Sequence, residues 1–116
     1  MNDFAIIIHR DLVSKDASPS PEQMQAAIKP FQDWIGGIAA QNKLAAPPRR
    51  WDSDGRVIKS NSVTNGPYAE IKESVGGIIL IRAADYDEAV EIAKGCPVIE
   101  WGASVEVRMA LPTPGN

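Results

Sequence analysis

The chain contains one histidine, His9, and Asp11 follows two positions later. In an extended strand these two residues point to the same face, so their side chains are able to meet. An imidazole held by a carboxylate is a common arrangement for a general base and the acid that orients it. The sequence therefore makes His9 and Asp11 candidate catalytic residues. The alternative is an ordinary histidine at the solvent or at an interface.

Two arginines are candidates for binding an anionic ligand group. Arg10 faces the opposite side of the same strand end, and together with Arg108 it is suited to hold a carboxylate through charge-assisted hydrogen bonds. Glu106, two residues before Arg108, is an alternative acidic partner for His9. The other interpretation of these arginines is an ordinary salt bridge to Glu106 or Glu100.

The composition excludes several classes of site and partner. One histidine and one cysteine, Cys96, do not make a four-ligand zinc site or an intramolecular disulfide within one chain, and we predict no metal and no cofactor. A net charge of −3 argues against nucleic acid or an anionic membrane as the main partner. No apolar run approaches the roughly 20 residues that span a bilayer, and a basic secretory start is missing, so we expect a cytoplasmic protein.

Two helices and several strands must position these residues. Ser20 and Pro21 begin a helix whose apolar positions are spaced 4, 3, 4, 3 up to about Lys43; we expect one long helix, bent at Pro30. Asp85 begins a second helix, which ends before Gly95. Its predicted apolar face consists of Tyr86, Ala89, Val90 and Ala93.

The strand candidates are short apolar or alternating runs. Residues 4–8 and 77–83 are typical of buried strands, and residues 103–109 alternate between apolar and polar. Residues 52–55 predict a hairpin turn between 49–51 and 56–59, because a Gly follows an Asp there. Residues 60–74 are expected to form a polar, turn-rich connection.

The order β-α-β-β-β-α-β predicts a single α+β domain over residues 1–112, with a frayed tail at 113–116. Its fold class is ferredoxin-like, an antiparallel sheet with two helices on one face. Ser104, Glu106 and Arg108 must then point to the other face. The first and fourth strands are apolar on both sides, which favours a covered face, and a second copy of the chain is the simplest cover. The alternative is a face open to solvent.

Residues 65–73, with the sequence NGPYAEIKE, resemble the signature of the DGPF branch of the YCII-related domain family. The resemblance continues at Gly76-Gly77 and at 85–89, 94–97 and 105–108, and upstream at 21–24 and 34–41. It implies a dimeric α+β barrel, in which two ferredoxin-like sheets face each other. For the wider family it implies a His–Asp pair near the pocket between the sheets, and some members of the family are described as associated with transcription.

The sequence departs from the family pattern at Asn65, where the branch has Asp, and in the first helix, which contains no histidine. We therefore expect a homodimer that binds a small, anionic organic ligand. Two alternatives are a lyase or isomerase that uses His9 with Asp11 or Glu106, and a transcription-associated partner. The charged residues Glu70, Lys72 and Glu73, which follow the turn at Gly66-Pro67, either border the pocket or form weak surface ion pairs. The candidate pocket residues are Arg10, Asn65, Gly66, Pro67, Tyr68, Glu70, Lys72, Glu106 and Arg108.

Overall fold

The computed structural model describes residues 1–11, 20–49, 51, 55–66 and 73–112. The predicted order of strand and helix types is confirmed, although a strand was predicted at 49–51 and the one at 62–66 was not; a short 3-10 helix precedes the last strand. The elements are β1 (Asn2–Asp11), α1 (Pro21–Ala40), β2 (Gly55–Lys59), β3 (Ser62–Gly66), β4 (Glu73–Ala83), α2 (Tyr86–Lys94), the 3-10 helix (Pro97–Trp101) and β5 (Ser104–Met109). The predicted tail, 113–116, lies outside the described residues.

The main sheet is antiparallel and has β1 at its centre, in the order β4-β1-β5. Residues 44–49 follow the free side of β4 as an irregular edge, with bridges from Leu44 to Ile81 and from Arg49 to Ile78. The Ala45 N–H donates to the Leu80 carbonyl at 2.9 Å. Pro47 and Pro48 lack the N–H groups that a regular ladder requires, which explains why this edge is not a continuous strand.

The core lies on one face of this sheet, beneath both helices. Because side chains alternate along a strand, Phe4, Ile6 and Ile8 all point to that face, and each is at most 4% exposed. α1 contributes Ile38, and α2 contributes Ala89 and Ala93. The other buried hydrophobic residues are Ile79, Ile81, Ala83, Cys96 and Val98. The α+β fold class, with two helices on one face of an antiparallel sheet, is thus confirmed.

Helix α1 is one continuous helix through Pro30, as predicted, but it ends at Ala40 rather than near Lys43. Asn42 adopts a left-handed backbone with φ of 59°, and the Lys43 N–H donates to the Ile38 carbonyl at 3.0 Å. Asn tolerates this conformation better than most residues, so it is suited to ending a helix. No helix within the described ranges is both long and apolar enough to cross a membrane.

Helix α2 has the predicted cap. The Asp85 carboxylate accepts from the Glu88 N–H at 2.9 Å, and Glu88 accepts from the Ala84 N–H at 3.1 Å. The predicted apolar face is only half right, because Tyr86 and Val90 are 47% and 39% exposed. The helix is short, so its buried stripe is narrow. The Tyr86 hydroxyl instead lies at the edge of the sheet, where it accepts a hydrogen bond from the Met109 N–H at 3.0 Å.

The predicted hairpin about residues 52–55 is wrong in its pairing. β2 pairs with β3 about a turn at Ser60 and Asn61, and Arg49 bridges to Ile78 instead of pairing with 56–59. The β-branched residues of 62–66 make a strand in a stretch that was expected to be a polar connection. Residues 52–54 and 67–72 lie outside the described residues.

Candidate functional site

The face of the main sheet opposite the helices carries the candidate site, and we call it the outer face. It is fixed by the alternation of β1, since Ala5, Ile7 and His9 point away from the buried Phe4, Ile6 and Ile8. The register places Ile7 opposite Glu106 and Ala5 opposite Arg108 on β5. The outer-face residues of the three paired strands whose side chains are described are Asp3, Ala5, Ile7, His9, Val75, Ile78, Leu80, Arg82, Ser104, Glu106 and Arg108.

Three polar side chains form a connected row on the β5 side of the outer face. His9 Nε2 lies 2.8 Å from Glu106 Oε1, and the Arg108 Nε–H donates to Glu106 Oε2. The side chains of His9 and Glu106 are 24% and 33% exposed, and that of Arg108 is 71% exposed. The carboxylate therefore joins an imidazole to a guanidinium that is open to solvent.

The electrostatics of this row keep Glu106 ionised. The hydrogen bond from His9 and then that from Arg108 hold the pKa of the Glu106 carboxyl below its ordinary value. An ionised carboxylate accepts hydrogen bonds but does not donate them, so His9 must present Nε2–H to it. In neutral His9 the lone pair is then on Nδ1, which is the atom able to accept a proton.

A shallow pocket of about 250 Å³ opens at one end of the outer face. Leu80, Ala5 and Arg108 form one cross-strand row beneath it, in which the small Ala5 stands between two large neighbours. Arg108 lines the pocket beside one acidic residue, Asp3, and the lining as a whole is mainly apolar. The remaining lining residues are Phe4, Ala45, Met109 and Ala110. This arrangement suits a small molecule that has an apolar body and one anionic group.

A register shift lies next to His9. Ile8 pairs with Gly77 on β4, whereas His9 pairs with Val75, so Gly76 is an extra residue on β4. Such bulges bend a strand and redirect its side chains, and they are frequent beside functional sites. The Gly76-Gly77 pair is the signal in the sequence that could have indicated this irregularity.

The structure brings together only some of the predicted site residues. His9, Glu106 and Arg108 are in contact, and Glu106 accepts hydrogen bonds from both His9 and Arg108. The backbones of Arg10 and Asp11 pair with Ser74 and Glu73, away from the pocket. Asn65 and Gly66 pair with Arg56 and Gly55 at the base of the hairpin. Pro67, Tyr68, Glu70 and Lys72 lie outside the described residues.

Sequence reasoning missed the apolar part of the site, Ala5 and Leu80. The signal was present, because the alternation of residues 4–8 assigns Ala5 to the face opposite the core. Within the described part of the chain, His, Cys, Asp and Glu residues form no group of three or more that could hold a metal ion.

Comparison with known proteins assigns the chain to a family. The model of the YCII-related domain matches residues 12–110, which is most of the chain. The chain therefore belongs to the YCII-related domain family. No curated protein sequence matches it.

One similar solved structure is 5-chloro-2-hydroxyhydroquinone dehydrochlorinase (TftG) from Burkholderia phenoliruptrix AC1100, in complex with 2,5-dihydroxybenzoquinone. The two chains are 16% identical, the similarity covers 98% of each, and the TM-score is 0.48.

Proposed function

We propose that this protein binds a small organic anion in the pocket at the end of the outer face. The observation that carries the proposal is the position of Arg108, which borders an otherwise mainly apolar pocket of about 250 Å³. Glu106 engages the Nε–H of this arginine, and a guanidinium has five N–H donors, so others remain for a ligand carboxylate. The apolar body of the ligand then rests on Ala5 and Leu80.

The test is a titration with benzoate, followed by shifts in the amide NMR signals of the sheet. We expect Arg108→Ala to weaken binding by roughly 10- to 150-fold, the effect of losing a hydrogen bond to a charged group. Lys94→Ala is the matched control, since Lys94 is also the exposed partner of a glutamate, Glu91, at 2.9 Å. Equal benzoate affinity in the wild type and Arg108→Ala would contradict the proposal.

A second candidate function is acid–base catalysis, favoured by the 2.8 Å contact between His9 and Glu106. His9 does not line the pocket at Arg108, so in this role its Nδ1 takes a proton from the carbon next to the carbonyl group of a substrate bound beside it on the outer face, and returns the proton to a neighbouring carbon, as an isomerase does. Glu106 orients the imidazole and stabilises its charged form. Proton exchange of small oxo acids in D₂O measures this step, and we expect His9→Gln to abolish it. Exchange that persists unchanged in His9→Gln would exclude His9 as the base.

We further propose that a second copy of the chain covers the outer face, giving a homodimer. Val75 and Leu80 are 47% and 44% exposed, and Ile7 and Ile78 beside them are only half-buried. An apolar area of this kind on a soluble protein is a typical interface, and twofold pairs are the commonest oligomers. Sedimentation velocity tests the proposal; a wild-type chain that stays monomeric at 100 µM would contradict it.

A further inference from the structure

The pocket at the end of the outer face is lined by a second charged residue, Asp3, as well as by Arg108. Asp3 lies two residues before Ala5 on β1, so its side chain points to the outer face. The Asp3 carbonyl accepts a hydrogen bond from the Ala110 N–H at 2.8 Å, which continues the pairing of β1 with β5. Asp3 and Arg108 are therefore diagonal neighbours on adjacent strands, with backbones about 7–8 Å apart. One small molecule is able to contact both side chains.

The carboxylate of Asp3 has more free acceptor capacity than that of Glu106. Glu106 accepts from His9 with one oxygen and from Arg108 with the other. Within the described part of the chain, the ion-pair contact of Asp3 is with Arg82 at 3.9 Å, which is too long for a hydrogen bond. A ligand that brings a cationic N–H donor into the pocket therefore finds its acceptor at Asp3.

An apolar floor accompanies the two charged side chains. Ala5 pairs with Arg108 on one side and with Leu80 on the other, and its small side chain leaves space above the sheet. The pocket volume of about 250 Å³ is slightly below the roughly 300–1,000 Å³ of common ligand pockets. The pocket thus suits a small molecule that has an apolar body, one anionic group and one cationic group.

We infer that the carboxylate bound in this pocket belongs to a zwitterion, a small amino acid with an apolar body. This inference rests on the binding function proposed above and names the class of its ligand. The ligand's carboxylate contacts the guanidinium of Arg108, and its ammonium group donates to the carboxylate of Asp3. Both contacts are charge-assisted hydrogen bonds, the stronger kind in proteins. The apolar body lies on Ala5 and Leu80, so Asp3 determines the preference for zwitterions over plain acids.

Matched ligands that differ in the ammonium group test the inference by NMR titration. Leucine is compared with 4-methylpentanoate, and 3-(aminomethyl)benzoate with 3-methylbenzoate. The Asp3 side chain is 64% exposed, so solvent screens its attraction for the ammonium group. We expect the zwitterion to bind about two- to fivefold more tightly than the plain acid in at least one pair.

Equal or weaker binding of the zwitterion in both pairs overturns the inference. The proposed function then still stands if the plain acids bind and lose affinity in Arg108→Ala. If none of the four ligands binds, the proposed function and the inference fail together.

The variant Asp3→Asn separates a direct contact from a structural role. It keeps the size of the side chain and removes the charge, so we expect the zwitterion to lose its two- to fivefold preference. The plain acid should bind at least as tightly as to the wild type, because an anion loses a repulsive neighbour. Asp33→Asn is the matched control, since Asp33 is 68% exposed and contacts one cation, Lys29, at 3.4 Å. A preference that persists in Asp3→Asn, or an equal loss of affinity for both ligands of a pair, overturns the inference.

Discussion

The contact between Gly95 and Trp34 predicts a measurable loss of stability when a single methyl group is added. Gly95 ends α2 with ordinary right-handed backbone angles, φ −77° and ψ −5°, so alanine meets no backbone strain there. A Cβ at this position, however, would lie 2.9 Å from two atoms of the Trp34 indole. The indole must move, although its N–H donates to the Ile92 carbonyl at 2.9 Å. Gly95→Ala therefore forces either a steric clash or the loss of a hydrogen bond.

The size of the effect follows from these two costs. Overpacking costs about 1–3 kcal/mol, and a lost hydrogen bond costs about 0.5–1.5 kcal/mol. The smaller conformational freedom of unfolded alanine offsets about 0.4–1 kcal/mol of this. We expect Gly95→Ala to lower the free energy of unfolding by about 1–3 kcal/mol, and Tm by roughly 4–15 °C. Urea unfolding followed by circular dichroism measures the first quantity, and calorimetry measures the second.

Gly36→Ala is the control for the glycine effect itself. Gly36 lies within α1 and has no heavy atom within 4 Å of its added Cβ, so we expect this variant to be more stable by about 0.5–1 kcal/mol. A cycle with Trp34→Phe isolates the contact, because the smaller ring leaves room for the methyl group. The reasoning is refuted if Gly95→Ala is as stable as the wild type, or if its cost is the same in the Trp34→Phe background.

Three further predictions concern single groups. Asp85→Ala removes the cap of α2, and we expect a loss of about 0.5–2 kcal/mol in urea unfolding; no loss would mean that the cap is dispensable. Burial raises the pKa of the Cys96 thiol, and the hydrogen bond with the Val98 backbone lowers it by less, so Ellman's reagent at pH 7 should react only after urea is added. The lowered pKa of Glu106 stabilises the fold above about pH 4.5, the ordinary value, and this contribution is lost as pH falls further. The Tm difference between the wild type and Glu106→Gln should therefore shrink on acidification, and a difference that grows would contradict the assignment.

Local sequence signals predicted those parts of the fold that depend on neighbouring residues. The alternation along 103–109 assigned Glu106 and Arg108 to the face away from the helices, and both lie there. The helix cap at Asp85 could likewise be predicted from the sequence, because a capping interaction spans only three residues. The long α1 was predicted through Pro30 because its apolar stripe continues on both sides of that residue.

The remaining features depend on register, which no local pattern specifies. His9 and Glu106 are 97 residues apart in sequence, and they meet only because Ile7 pairs with Glu106. The sequence offered both Asp11 and Glu106 as partners for His9, and the side chain of Asp11 lies outside what the structure describes. The predicted pairing of the hairpin was wrong because a Gly after an Asp indicates a turn but does not determine which strands pair across it. The irregular edge at 44–49 was not predicted, because Pro47 and Pro48 interrupt any strand pattern in the sequence.

The outer face has a polar side and an apolar side. This division allows one surface to accommodate both the proposed ligand and the proposed second copy of the chain. The polar row runs from His9 on the central strand β1 to Glu106 and Arg108 on the edge strand β5, while the apolar residues Val75, Ile78 and Leu80 lie on β4. Charges in the middle of a covered face would lose water without gaining partners, at a cost of several kcal/mol per ion. His9 and Glu106 stay partly exposed at 24% and 33%, and they are hydrogen-bonded to each other. A second copy can therefore cover the β4 side without burying the row, and the pocket at Arg108 remains where the apolar side and the charged side meet.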